Sequence, residues 1–339
     1  MRYRTIVALV VALSSLGLAA QADDKITDSP ATVLPLGTVE VLGSVSCPQG
    51  AATGATCHSI NVICPGLPDL TATLAQTLPT VKAKGTIILM NGGGGTTFLN
   101  SGFANDYVTD GFRVAQLAWT SDWEDTGGIG LKTAACRGAT VFKFIFDKIQ
   151  GGSHTTAFCG QGSSGGAGAL AYSLAHYGMS NYFDYVVIAG GPGVARVDYG
   201  CDGSLYTGPP LNLCSQLTSA PYVYTYPGNV NLWENTTTCL TANPPQVDID
   251  RWASDSVIST GGNFSYPKTS MSWFACVTPP VNNTTGQAKF LSSQVVPKNS
   301  PPDVNCYSGI CKGEAVWQDP GAFSLTHSEM LANCVPNHK

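Results

Sequence analysis

Charged side chains are scarce in this sequence of 339 residues, where Asp, Glu, Lys and Arg together make up only 12%. The basic residues form no cluster, which argues against the positive patch that nucleic-acid-binding proteins present to phosphates. Beyond residue 20, no apolar run is long enough to span a bilayer. With only five histidines and no Cys-x-x-Cys motif, the sequence offers little for a metal centre. We therefore expect no nucleic-acid partner, no membrane span, no metal and no cofactor.

The first 22 residues predict a secretory signal peptide. Arg2 and Arg4 make a basic start, residues 5–20 are mostly apolar but short for a membrane span, and Ala-Gln-Ala at 20–22 is a small-x-small cleavage site. An uncleaved membrane anchor is the alternative. With the signal peptide removed, residues 23–339 form one domain that we expect to be secreted or periplasmic.

All twelve cysteines follow this leader. An even number of cysteines in an exported chain predicts structural disulfides. Cys306 and Cys311 are close enough in sequence to close a small loop, whereas the pairing as a whole does not follow from the sequence.

Strands and helices alternate between residues 85 and 190. Apolar runs predict strands, and apolar residues at helical spacing predict helices. The predicted strands are Lys84–Met90, Phe112–Ala118, Thr155–Cys159 and Tyr185–Ala189, and the predicted helices are Ala134–Lys148 and Gly166–Tyr177. This alternation predicts right-handed βαβ units and an α/β fold with a mostly parallel central sheet flanked by helices. Functional groups are then expected beyond the carboxyl ends of the strands.

The segments on either side are less regular. A strand at Thr38–Val45 precedes a cysteine-bearing loop region at Cys47–Pro68. Residues 201–265 combine cysteines, prolines and aromatic residues, and predict a disulfide-rich insertion packed over the sheet edge. This insertion is either a cap over the site or a surface segment without a role in substrate binding. Further strands are predicted at Ser270–Val277 and Glu314–Gln318.

A serine lies between glycines at 162–166, where the sequence reads Gly-Ser-Ser-Gly-Gly between a predicted strand and a predicted helix. This Gly-x-Ser-x-Gly spacing is typical of a nucleophile elbow, whose turn is so sharp that only small residues fit on both sides. Ser164 is the candidate nucleophile, because Ser163 lacks a glycine two residues away on each side. A glycine-rich helix start with structural serines, or an anion-binding loop, is the alternative.

A second glycine run, Asn91–Gly95, follows the predicted strand that ends at Met90. Glycines let a backbone approach a substrate closely, and a loop in this position donates an amide to the oxyanion hole in enzymes with such an elbow. We expect the amides of Gly93 and of Gly165, the residue after the nucleophile, to form that hole. Phosphate binding is the rival interpretation, but the run lacks the lysine of a P-loop.

The base is expected near the C-terminus, because the chain order in such enzymes is serine, acid, histidine. His327 occupies that position, and a surface histidine without a catalytic role is the alternative. The other four histidines fit this order less well: His58, His154, His176 and His338.

The acid should follow the strand predicted at Ser270–Val277, but the loop at 278–283 contains no carboxylate. Asp198, after the preceding strand, is the first alternative, although it could simply pair with Arg196. Asp303 is the second alternative. A site without an acid is the third, because much acceleration survives from the oxyanion hole and binding alone.

Taken together, these motifs resemble the α/β-hydrolase superfamily, and in particular its secreted bacterial members. The resemblance covers about 86–200 and is carried by Met90–Gly95, Ala118-Trp119 with Trp123, Ala134–Arg137, Gly162–Gly166 and Gly190–Pro192. It implies a serine hydrolase with Ser164 as nucleophile and His327 as base. The missing carboxylate near Thr278 departs from the pattern of the superfamily.

We therefore expect a secreted serine hydrolase that cleaves small or polymeric carboxylic esters through an acyl-enzyme on Ser164. Peptidase or acyltransferase activity on the same fold is one alternative, and a hydrolase-like binding protein without catalysis is another. Neither the exact substrate nor the oligomeric state follows from the sequence.

Overall fold

The structure, a computed structural model, describes residues 31–208, 213–214, 227–278, 284–311 and 315–338. The predicted signal peptide lies outside the described residues, as do residues 279–283 of the loop where the acid was expected. No helix within the described ranges has the length and apolar character needed to cross a bilayer.

Eleven strands are present in the described residues. They are β1 Thr38–Val45, β2 Thr56–Ile63, β3 Leu70–Thr77, β4 Gly85–Met90, β5 Arg113–Trp119, β6 Ala157–Ser163, β7 Tyr185–Ala189, β8 Ser265–Tyr266, β9 Ser270–Cys276, β10 Val296–Pro297 and β11 Asp303–Tyr307. Nine of them form one sheet in the order β1-β2-β3-β5-β4-β6-β7-β9-β11, and β8 pairs with β10 in a separate ribbon. From β5 to β11 every neighbouring pair is parallel. The mostly parallel sheet expected from the sequence is confirmed.

Helices cover both faces of this sheet. They are α1 Ser101–Thr109, α2 Leu131–Ala134, α3 Cys136–Phe144, α4 Gly165–His176, α5 Val197–Cys201, α6 Pro227–Trp233, α7 Gln246–Asp255, α8 Thr284–Gln294 and α9 Pro320–Asn333. The helix predicted at Ala134–Lys148 consists of separate pieces. It begins at the end of α2, continues as α3, and ends in a π-helical stretch at Ile145–Gln150.

The core lies in two layers because successive side chains of a strand point to opposite faces. Ile88 and Ile188 pack with α3 and α4 on one face. Leu89 and Val187 pack with α1 and α9 on the other face. These strands are buried from end to end, as is usual for parallel strands covered by helices on both sides.

Two predictions for the flanking segments are wrong. The segment predicted as a loop, Cys47–Pro68, contains β2, which pairs with β1 and β3 in an antiparallel arrangement. At the other end, Val316–Gln318 is a 3-10 helix, and the last strand is β11. Polar residues in β2 hide its pattern, because an antiparallel strand near a sheet edge needs to bury only part of its side chains.

Six disulfides use all twelve cysteines. The pairs are Cys47–Cys57, Cys64–Cys136, Cys159–Cys334, Cys201–Cys239, Cys214–Cys306 and Cys276–Cys311. The small loop that Cys306 and Cys311 are close enough to close is not formed. Cys306 packs against the α3–α4 core and Cys311 belongs to the α1–α9 core, so the two thiols lie on opposite faces of the sheet.

Candidate active site

The turn at Ser164 joins the end of β6 to the start of α4. Ser164 has φ 49° and ψ −113°, a conformation that costs energy for a residue with a side chain. Its own amide donates to Ala189 O at 2.8 Å, and its carbonyl accepts from Gly168 N at 3.0 Å. These bonds hold the strained turn at a helix N-terminus, where the helix dipole favours negative charge.

Glycines are required on both sides of this turn. A Cβ at Gly162 would lie 2.5 Å from Gly166 O. A Cβ at Gly166 would lie 2.6 Å from Met90 O and 2.7 Å from Asn91 O. Backbone atoms occupy the space of a side chain at both positions, which is the physical reason for the Gly-x-Ser-x-Gly spacing.

The glycine run after β4 packs backbone to backbone against the same turn. Gly95 N donates to Gly92 O at 3.2 Å, and Gly93 has φ +57°. A Cβ at Gly165 would lie 2.1 Å from Gly93 O, and one at Gly92 would lie 3.0 Å from the Cβ of Ser164. The structure thus brings together the predicted nucleophile and the two predicted oxyanion residues.

A cavity of about 130 Å³ opens at this junction. It is lined by Gly93, Glu124, Ser164, Gly165, Gly168, Gly193, Val194, Asn229 and Trp233. Asn229 and Trp233 lie on α6, within the predicted insertion, so its described part supplies one wall of the cavity.

The comparisons with known proteins agree with this architecture. No protein-family model and no curated protein matches the sequence. Solved structures do match: acetyl xylan esterases from Paenibacillus sp. R4 and from Thermoanaerobacterium sp. JW/SL YS485, and carboxyl esterase 2 from the mycorrhizal fungus Tuber melanosporum. Their TM-scores are 0.52, 0.50 and 0.50 at sequence identities of 10%, 12% and 13%. The matches cover 87%, 87% and 85% of this chain, and 89%, 88% and 92% of the other chains.

This chain has the α/β-hydrolase fold. At these identities the likeness shows the fold alone.

The structure does not bring His327 to Ser164. His327 Nε2 lies 2.6 Å from Asp110 Oδ2, in the turn between α1 and β5 where the parallel strands begin. The start of β5 pairs through β4 with Phe158, six residues before Ser164. At about 3.3 Å per residue, this places the His327–Asp110 pair roughly 20 Å along the strand from the elbow.

The direction of α9 explains why His327 lies far from Ser164. Phe323 stacks on Phe103 with the ring centroids 3.9 Å apart, and His327 follows one turn later beside Tyr107. Helix α9 therefore runs beside α1 toward the edge where the strands begin, and it carries His327 away from the elbow. The expectation that His327 is the base is corrected accordingly.

The other histidines also lie elsewhere. His176 Nε2 lies 2.8 Å from Val257 O, His338 Nε2 lies 3.1 Å from Phe183 O, and the ring of His154 stacks on that of His338. His58 is part of β2. All five histidines of the chain are among the described residues, and none of them lines the cavity at Ser164.

The candidate acids are occupied by other partners. Asp198 accepts two hydrogen bonds from Arg196, from Nε at 2.9 Å and from a terminal nitrogen at 2.7 Å. Asp303 accepts from Asn299 Nδ2 at 3.0 Å at the start of β11. Asp198 therefore does not orient His327, and its structural pairing with Arg196 is the interpretation that the geometry supports.

Glu124 is the carboxylate at the cavity, and the sequence reasoning missed it. It is buried, with 3% of its surface exposed, and a Cβ at Gly165 would lie 3.4 Å from Glu124 Oε1. Its backbone amide donates to Asp122 Oδ1 at 2.8 Å, which fixes the loop after β5. The available signal was position, since a loop that follows a parallel strand lies at the same sheet edge as the elbow.

Glu234, the residue after Trp233, belongs to a pair of buried carboxyl groups. Glu234 is fully buried and accepts from Leu131 N at 3.2 Å, while Asp255 carboxyl oxygens lie where a side chain at Gly130 would be. Burial and the neighbouring Asp255 raise the pKa of Glu234 to about 8. Burial raises the pKa of Asp255 as well, against the opposing charge of Lys132.

The raised pKa of Glu234 predicts that the free energy of unfolding falls as the pH rises toward about 8. Between the unfolded pKa and about 8, the folded protein holds a proton that the unfolded chain has released, so the free energy of unfolding falls as pH rises. We expect Glu234→Gln to reduce this fall between pH 5 and pH 8 by a few kcal/mol. Urea unfolding at both pH values measures it. The exposed Glu40→Gln variant should keep the full fall, and an unchanged fall in Glu234→Gln would contradict the prediction.

Proposed function

We propose that this protein is a serine hydrolase that cleaves carboxylic esters, with Ser164 as its nucleophile. The observation that carries the proposal is the strained conformation of Ser164 at the mouth of a cavity, held between backbone groups that leave no room for side chains. Strain of this kind persists where the surrounding structure enforces it, and it is concentrated at functional sites. The esterases with similar folds support the choice of substrate class.

The proposed reaction uses the groups around the cavity. Ser164 Oγ attacks the ester carbonyl, and the negative charge that develops on the carbonyl oxygen is stabilised by the amides of Gly93 and Gly165. The bond to the alcohol breaks and leaves the acyl group on Ser164. Water then attacks this acyl-enzyme and releases the carboxylic acid, which restores the serine.

Glu124 is the base in this proposal. Its carboxylate takes the proton of Ser164 Oγ as the new bond forms and returns it to the leaving alcohol. In the second step it takes a proton from the attacking water and returns it to Ser164. A carboxylate is a weaker base than an imidazole, so we expect esters with good leaving groups, such as aryl esters, to react faster than alkyl esters or amides.

The role of Glu124 predicts a large effect of one substitution. Glu124→Gln keeps the shape of the side chain and removes its basicity, and general base catalysis contributes typically 10²- to 10⁴-fold. We expect kcat for p-nitrophenyl acetate to fall by about 10²-fold or more while the urea midpoint changes little.

Two control variants sharpen this test. Glu40→Gln removes an exposed carboxylate on β1, and His327→Ala removes the imidazole that pairs with Asp110. Both should keep the wild-type kcat. A loss of activity in His327→Ala, or full activity in Glu124→Gln, would overturn the proposed base.

A binding protein without catalysis is the second candidate. The specific observation in its favour is that no imidazole lines the cavity, although the elbow is intact. Wild-type protein that is folded but neither hydrolyses p-nitrophenyl acetate nor reacts with a fluorophosphonate probe would decide for this candidate. Labelling of Ser164 would decide for the hydrolase.

We further propose that the protein acts outside the cytoplasm, after removal of the signal peptide at 1–22. Six disulfides support this location, because such bonds persist in oxidising compartments. N-terminal sequencing of protein recovered from the medium or the periplasm tests the cleavage after residue 22.

A further inference from the structure

A second cavity, of about 600 Å³, lies near the edge of the sheet where the strands begin, away from the elbow. It is lined by His154, Ser180, Asn181, Asn263, Ser265, Pro267, Lys268 and His338. The residues His154 and Asn181 precede β6 and β7, which fixes its place in the fold. Hydrogen-bond donors dominate this lining, and no carboxylate is among the described residues that form it.

Two imidazoles form one wall of this cavity. The rings of His154 and His338 are nearly parallel, with centroids 4.8 Å apart. His338 Nε2 donates to Phe183 O at 3.1 Å, since a carbonyl oxygen only accepts. His154 Nδ1 is buried and has no protein hydrogen-bond partner among the described residues.

Positive charge accumulates around these rings. Lys268 lines the cavity, and Lys298 is close enough to disfavour protonation of His338. Asp184 is the acidic group that faces His154, but its two oxygens already accept from the amides of Phe158 at 2.8 Å and Asn337 at 2.5 Å.

These surroundings disfavour the charged imidazoles. Burial, followed by the repulsion from His338, lowers the pKa of His154. Burial also lowers the pKa of His338, and Lys268 and Lys298 lower it further. A bound anion would relieve this repulsion and stabilise both protonated rings.

We infer that this cavity binds a small tetrahedral oxyanion, such as phosphate or sulfate, between His154, His338 and Lys268. Asn263 and Ser265 add neutral donors at the rim. Asn263 Oδ1 accepts from Ser265 N at 3.0 Å, which orients its amide so that the NH₂ end serves a ligand. The site is separate from Ser164, so it stands whether or not the protein hydrolyses esters.

Binding at this site is coupled to pH. Because the folded pKa values of both histidines lie below the usual 6.5, an anion that favours the protonated rings binds together with protons. Sulfate, which carries the same charge at both pH values, should therefore bind about tenfold more tightly at pH 5.5 than at pH 7.5, which corresponds to a shift of about one pKa unit.

The chain has only five histidines, so NMR of the ring protons during a phosphate titration tests the inference directly. In the mature protein at constant ionic strength, the resonances of His154 and His338 should move and saturate while that of His58 stays in place. The exposed Lys268→Met variant should bind phosphate about tenfold more weakly. The control His58→Gln should bind phosphate like the wild type.

Several outcomes would overturn the inference. They are the absence of a saturable shift at His154 and His338, an equal shift of all five histidines, or unchanged affinity in Lys268→Met. If the two histidines bound Zn²⁺ and the protein did not bind phosphate, the cavity would be a metal site and the inference would be wrong. Titrations with glycerol phosphate in place of inorganic phosphate distinguish a phosphate group on a larger molecule from the free ion, and either one supports the oxyanion site.

Discussion

Ser164→Ala is expected to remove ester hydrolysis almost completely. Loss of the serine removes the acyl-enzyme route, and in serine hydrolases such a change costs on the order of 10³- to 10⁶-fold in kcat. Alanine retains the Cβ, so the turn at φ 49° keeps its steric demands and the fold should be preserved. Hydrolysis of p-nitrophenyl acetate and intact-mass analysis after treatment with a fluorophosphonate probe measure the effect.

Ser173→Ala is a matched control for this substitution. Ser173 lies on the same helix, and its hydroxyl only donates back to Ala169 O at 2.6 Å. This variant should retain wild-type turnover and a single labelled site. Labelling that persists in Ser164→Ala would place the nucleophile elsewhere, and it would remove the basis of the proposed function.

The elbow could be predicted from the sequence because its requirements are local. A helix start at Ser164 needs glycine at 162 and 166, where backbone atoms leave no room for a Cβ. The glycine run at Asn91–Gly95 follows from the same steric argument. Such local steric requirements restrict the residue types at fixed spacing, so the motif can be recognised in a single sequence.

The rest of the site depends on long-range geometry. His327 has the expected position in the chain, but its place in space depends on the direction in which α9 crosses the sheet. Glu124 follows β5, which is two positions away from β6 in the sheet order. The loop after β5 therefore lies at the same sheet edge as the elbow, and Glu124 reaches the cavity. No spacing in the sequence encodes either relation: chain order favours His327, and only the position of Glu124 after a predicted strand points to the cavity.

The same distinction holds for the fold. The buried parallel strands, such as β4 and β7, are continuous apolar runs, and their predicted bounds agree closely with the structure. Strand β2 carries polar residues, so the sequence does not distinguish it from a loop. Cys306 and Cys311 are close in sequence but do not pair, because sequence distance does not show on which face of the sheet a side chain lies.

Removal of the Cys159–Cys334 disulfide should have the largest effect on stability. This bond joins β6, the strand that leads into the elbow, to the C-terminal end of α9 across 175 residues. In the chain-entropy description, a loop of that size contributes roughly 5 kcal/mol by restricting the unfolded chain. We expect the double variant Cys159→Ala/Cys334→Ala to lose stability of that order, measured as the free energy of unfolding in urea.

The Cys47–Cys57 disulfide provides the matched control. It spans 10 residues beside the exposed edge strand β1, and the same description assigns it about 3 kcal/mol. Cys47→Ala/Cys57→Ala should therefore be the milder double variant, with its probe labelling intact. Equal losses of stability in the two double variants would show that loop size does not set the contribution of these disulfides. A greater loss in the control would show that the Cys47–Cys57 disulfide at the sheet edge contributes more to stability than the Cys159–Cys334 disulfide.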